Sequence, residues 1–202
     1  MFGKRKEERL LEQIADVNED LQRKLSKSEL ELKDMSSFLN FLSESVCRGK
    51  QICGIKKIRQ YDKDVYVGYI LEHKFEIEPQ RTYVYTIYGY ISTNISSPIY
   101  KAELNWQLSR VETDIIKRLE LTNNYVCGKD LYGLGIGSAG LDVIKELARE
   151  LNCSEIYGSR RPLDGKENKE RLYQFYEKNG FEQSHNSDLI RYDFTKETTR
   201  KN

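Results

Sequence analysis

The stretch that constrains this chain most is Tyr132-Gly-Leu-Gly-Ile-Gly-Ser138. Three glycines at alternate positions give a backbone that bends tightly and lets a ligand approach closely. Ser138 stands where a helix cap is expected. Leu141, Ile144, Leu147, Ala148 and Leu151 follow at helical spacing, so the segment reads as a glycine loop feeding a helix that buries one face. The start of such a helix presents free N–H groups and the positive end of the helix dipole. That combination suits a phosphate or pyrophosphate.

The 202 residues allow one domain of ordinary size plus an appendage. A formal net charge of +1 gives no general attraction to polyanions, so neither a nucleic-acid nor a membrane-surface partner is expected. Charged residues make up 32% and mean hydropathy is -0.71, and no apolar run is long enough to span a bilayer. The first residues, Met1-Phe-Gly-Lys-Arg-Lys, lack the apolar stretch of a secretory signal. Cys47, Cys53, Cys127 and Cys153 are scattered with no CxxC pair. They read as free thiols, and the expected location is the reducing cytoplasm.

Residues 1–48 form a helical arm in this reading. Residues 4–45 contain neither Pro nor Gly, and Leu10, Ile14, Val17, Leu21 and Leu25 recur every three or four positions among mixed charges. The stripe loses phase near Ser26-Lys-Ser28 and resumes as Leu30, Met35, Phe38, Leu39 and Leu42. Two uses remain open: a helix packed on its own domain, or a coiled-coil-like arm for a homodimer or a protein partner. Arg48-Gly49-Lys50 is the joint to a domain over 49–202.

Residues 51–126 read as an antiparallel meander. Tyr69, Leu71, Phe75 and Ile77 alternate with Glu72, Lys74 and Glu76, the period-two pattern of a strand with one wet face. Glu78-Pro79-Gln80-Arg81 is a turn, and 82–91 is rich in Thr, Val, Ile and Tyr. Residues 100–108 alternate again, and 115–126 make a fourth strand. His73 falls on the apolar face of its strand and His185 in a polar loop; neither has the partners of a metal site, and none is expected. After the glycine loop and its helix, 153–159 is a strand, 166–178 a helix ended by Asn179-Gly180, and 189–194 a last strand. Strand runs followed by helix–strand alternation give an α+β fold: a mixed, mainly antiparallel sheet flanked by helices, with the long N-terminal arm.

Gly135-Ile-Gly137-Ser-Ala-Gly140 satisfies GxGxxG, but a dinucleotide site wants that motif after the first strand of a parallel sheet, and here it follows a meander. A P-loop would end in Gly-Lys-Ser/Thr, and no lysine is there. A meander, then Gly-x-Gly into a helix, a strand, and a helix ending in Phe175-Tyr176-Glu-Lys-Asn-Gly180-Phe181 resembles the GCN5-related N-acetyltransferase (GNAT) superfamily. The likeness rests on Gly135-Ile-Gly137-Ser138 and on Phe175 to Phe181, and extends by pattern over roughly 52–196.

That resemblance implies acetyl-CoA, or another acyl-CoA, as donor, and an amine on a small molecule or protein as acceptor. Leu134, Gly135, Ile136, Gly137 and Ser138 would hold the CoA pyrophosphate through backbone amides. Tyr125, Val126 and Cys127 would hold the pantetheine, with Asn168 a weaker match. Tyr176 matches the family's general acid, since a phenol is neutral at pH 7 and can protonate a departing thiolate. Glu120, then Glu112, are the expected bases. Tyr132 departs from the Gln/Arg of the family signature, and Lys129 or Arg160 would have to supply the missing charge. The family's helices after the first strand have no clear counterpart. The implied activity is N-acyl transfer by direct attack. The alternative is a non-catalytic acetyltransferase-like protein that binds partners through its arm.

Overall fold

The computed structural model describes residues 2–60, 63–77, 82–111, 114–159, 167–183 and 188–196. The expected turn at 78–81, Glu112, Arg160 and His185 lie outside the described residues, as do the side chains of His73 and Asn168. A single helix, α1 (Phe2–Cys47), precedes an eight-stranded mixed sheet. The strands are β1 (Gln51–Gln60), β2 (Lys63–Ile77), β3 (Thr82–Ile91), β4 (Tyr100–Val111), β5 (Asp114–Val126), β6 (Glu155–Ser159), β7 (Glu182–Gln183) and β8 (Leu189–Asp193). Helix α2 (Ile136–Glu150) lies between β5 and β6, and α3 (Glu167–Lys178) between β6 and β7. The sheet order is β1-β2-β3-β4-β5-β6-β8-β7. Every described pairing is antiparallel except β5 with β6.

β1 and the first residues of β2, before Tyr69, were not legible as strands. Ile52, Ile55 and Ile58 recur every third residue, and a bulge between Ile52 and Gly54 shifts the register, so period two never emerges. The later strands keep their alternation because one face is wet. Val67, Tyr69 and Leu71 of β2, Ile87 and Ile91 of β3, Tyr100, Ala102 and Leu104 of β4, and Leu119 and Leu121 of β5 are buried under α2. Helix α2 contributes Leu141, Val143, Ile144, Leu147 and Ala148 to the same core, at the expected spacing.

Among the described side chains of α1, those of its last third pack on the opposite face of the sheet. Phe38 and Leu42 are buried against Ile70, flanked by Phe41, Tyr66 and Tyr90. Gly68 makes room for them: a Cβ there would meet both side chains at 2.9 Å. Two such burials contribute about 1.5–3 kcal/mol each. Val17, Leu21, Leu25 and Leu32 remain exposed further along the same unbroken helix.

Candidate functional site

The glycine loop begins where β5 ends. A 3-10 turn at Lys129–Leu131 leads into it, and Gly133 and Gly135 have φ of 82 and 83 degrees, the left-handed region that favours glycine. A Cβ on either would meet nothing within 4 Å, so this side of the loop is open. Gly135 itself caps α2, and no side chain bonds the first amides. Ser138, expected as the cap, lies inside the first turn, where its Oγ accepts from Asn179 Nδ2 at 3.2 Å. The helix starts earlier than expected because Gly135 makes the turn that a serine cap would otherwise stabilise. Its first backbone bond runs from Ala139 N–H to the Gly135 carbonyl at 2.9 Å. Among the described residues, the amides of Gly133 to Ser138 have no backbone acceptor. A row of unspent N–H groups at a helix start is an anion cradle.

Two glycines are spent on packing. A Cβ at Gly137 would sit 3.2 Å from the Phe175 ring, so this glycine lets α3 lie over the first turn of α2. At Gly140 a Cβ would sit 2.3 Å from the Tyr100 ring, which fills the space beneath the helix.

Next to the cradle the sheet forks. β5 and β6 pair in parallel only from Arg118–Glu155 to Leu121–Gly158. Gly158 marks the last rung: a Cβ there would meet the Leu121 carbonyl at 2.6 Å. β5 bulges at Thr122, whose hydroxyl donates to the Glu103 carbonyl at 3.0 Å, and continues to Val126 bound to β4 alone. Cys127 N–H is taken by the Ile99 carbonyl at 2.7 Å. By strand alternation the backbone groups of Val126 and Asn124, not those of Cys127 or Tyr125, face away from β4, and among the described residues no strand pairs with them. Tyr125 pairs with Lys101, whose side chain joins Glu103 on the face away from α2.

Tyr176 comes from α3 to this fork. It is buried, edge-on to Phe175 at 5.1 Å and Phe181 at 5.5 Å. Burial pushes its phenol pKa above the ordinary 10.0, and the Asn124 amide partly opposes the rise, so the hydroxyl keeps its proton at neutral pH. Beside it, Tyr100 Oη and Asn124 Oδ1 are buried without a hydrogen-bond partner among the described residues. Tyr69 Oη donates to the Ile136 carbonyl at 2.8 Å, tying β2 to the start of α2. An orphaned amide oxygen at an open strand edge is the kind of group a bound amide or water satisfies.

Glu120 lies on the opposite face of β5. Its Oε2 accepts from Asn105 Nδ2 at 3.2 Å and Gln107 Nε2 at 3.1 Å, and Tyr157 Oη donates to Gln107 Oε1 at 3.2 Å. Glu120 is opposite Tyr157, one rung before the fork. The structure thus sets Tyr176 and Glu120 on either side of the sheet, next to the point where the β5–β6 pairing ends. Burial and the Glu120 charge raise the Tyr157 pKa.

Sequence reasoning missed Arg171. Its guanidinium stacks over the Tyr132 ring at 4.6 Å, at the mouth of the glycine loop. A cation one turn and a half before Tyr176 on α3 was the available signal; only the fold shows that it reaches Tyr132. Lys129 is exposed in the 3-10 turn. Among the described residues, no group of three or more His, Cys, Asp or Glu could hold a metal ion. No described helix is long and apolar enough to cross a membrane.

No protein-family model and no curated protein matches the chain. Among solved structures it is similar to the anti-CRISPR protein AcrVA5, at 26% identity over 46% of this chain and 90% of that one, with a TM-score of 0.34. It is also similar to a GNAT-family acetyltransferase from Staphylococcus aureus Mu50 (16% identity, 55% and 67% covered, TM-score 0.40). A third is AtaTR bound with AcCoA (14% identity, 59% and 73% covered, TM-score 0.41). The meander, the bulged β5, the single parallel pair β5–β6 and the glycine loop together make an α+β fold on a mixed, mainly antiparallel sheet.

Proposed function

We propose that this chain is an acyl-CoA-dependent N-acyltransferase, with acetyl-CoA as donor and an amine as acceptor. The observation that carries the reading is the junction of the β5–β6 fork with the uncapped start of α2. Open amides, an open strand edge and a buried protonated phenol meet there. These residues fit the donor: amides 134–138 and Arg171 suit its pyrophosphate, and the edge of Asn124 and Val126 suits its amide-bearing arm. The bound donor supplies an activated acyl thioester. Tyr176 holds a proton at Oη for the leaving sulfur, and Glu120, fixed by Asn105 and Gln107, accepts a proton from the acceptor amine across the fork. The domain over 49–202 carries this chemistry and residues 1–48 a separate task.

Calorimetry of the full chain with acetyl-CoA, followed by a thiol-release assay across an amine panel, tests the proposal. Micromolar binding with release for at least one amine supports it. A folded chain with no affinity refutes it and leaves the second reading, a non-catalytic binding protein, which the exposed stripe of α1 favours.

A further inference from the structure

Helix α1 is far longer than its contact with the sheet requires. Seven of the eleven large apolar side chains that stand exposed among the described residues lie on it: Val17, Leu21, Leu25, Leu30, Leu32, Leu39 and Val46. Leu25, Leu32, Leu39 and Val46 are seven residues apart, and Leu25 and Leu32 are 61% and 71% exposed. Val17, Leu21 and Leu25 continue the stripe in two steps of four, a local insertion that unwinds a coiled coil without breaking its seam. At 100 degrees per residue this stripe sits roughly a quarter-turn from Phe38, Leu42 and Ser45, which face the sheet. The seam is therefore open along the sheet-bound third of the helix as well as beyond it.

We infer that the stripe is the interface of a parallel, in-register dimer of this chain through α1. Three features select a second copy as the occupant. The seven-residue spacing is self-complementary, because each apolar knob meets its own equivalents. Lys24 and Glu29 flank the stripe on opposite sides, five residues apart, the spacing at which a parallel copy sets one against the other. Lys24 already binds Asp20 on its own helix at 2.6 Å, which orients it without consuming Glu29. The open stripe also offers on the order of 500 Å² per copy, so a pair reaches about 1,000 Å², the lower bound of a specific interface. With the seam a quarter-turn from the sheet-bound face, two-fold symmetry puts the two sheets on opposite sides of the helix pair. The dimer does not depend on the acyl-transfer reading, because its test contains no donor.

Sedimentation of the full chain from about 1 to about 100 μM reads the outcome. The expected species is twice 23.8 kDa. Leu25→Glu with Leu32→Glu should weaken association by at least about a hundredfold, while Leu30→Glu, equally exposed on another face, should change it by less than about threefold. Circular dichroism and melting of the sheet stay unchanged in each variant. Lys24→Glu should weaken the pair, and adding Glu29→Lys should restore it. A wild-type monomer throughout the range, or equal loss in Leu30→Glu, overturns the dimer. Failure of the charge reversal to restore association overturns the parallel register.

Discussion

Gly140→Ala is a demanding perturbation of this fold, because one methyl group tests both its packing and its site. The new Cβ would lie 2.3 Å from Tyr100 Cζ, 2.5 Å from its Oη and 2.6 Å from Cε2. Ordinary carbon contacts begin near 3.5 Å, so helix and ring must part by about 1 Å. The ring cannot swing away: Tyr100 is fully buried and edge-on to Tyr69 at 5.4 Å, which is itself bonded to the Ile136 carbonyl. Overpacking of this kind costs about 1–3 kcal/mol, and the severity of the contact puts it at the top of that range or beyond. Alanine recovers about 1 kcal/mol of helix propensity over glycine. The net is a loss of about 2 kcal/mol, or about 4–8 °C in Tm for a chain of this size. Urea unfolding of the variant gives the number. Because α2 must rise, the amides of Ile136 to Ser138 move with it, and acetyl-CoA affinity should fall with stability. Unchanged or increased stability would show that Tyr100 does not fill the space under α2, and the account of the site's support would fail with it.

Tyr176→Phe should leave acetyl-CoA affinity within about twofold and lower turnover by about a hundredfold; calorimetry and the thiol-release assay separate the two, and full turnover returns the residue to packing. Arg171→Ala should weaken CoA binding more at low salt than at high, since an exposed cation is screened; a salt-independent loss refutes a charge role. Stability should fall as pH rises from 9 to 11. Burial holds the Cys53 and Cys153 thiols at about 11 in the fold, against 9.0 when unfolded, so the unfolded chain loses protons first and is favoured. Melting temperatures across that window check the sign, and Cys53→Ala should flatten the slope.

The glycine loop and the helix after it were legible because their geometry is local backbone geometry. Glycines that permit left-handed φ and a helix that follows them are local, and the run at 133–137 announces both. The end of α3 was legible for the same reason, because Asn179-Gly180 follows Tyr176 as a helix stop and Gly180 has a positive φ. Ser138 misled because a serine before an apolar period is a cap signal, and only the φ of Gly135 moves the helix start. Cys127 misled because the partner of its amide, Ile99, is brought to it by strand pairing.

What the sequence by itself determined are the properties set within a few residues: the strand alternation, the helix periods, the glycine loop and the length of α1. What only the tertiary structure decided are the properties that need two distant segments. The fork arises because β6 leaves β5 at Gly158. Arg171 covers Tyr132 because α3 crosses the loop. Gly68 and Phe38 choose which third of α1 is held and which stripe stays open. Such contacts join residues about 30 to 40 positions apart, and no local period encodes the distance between them.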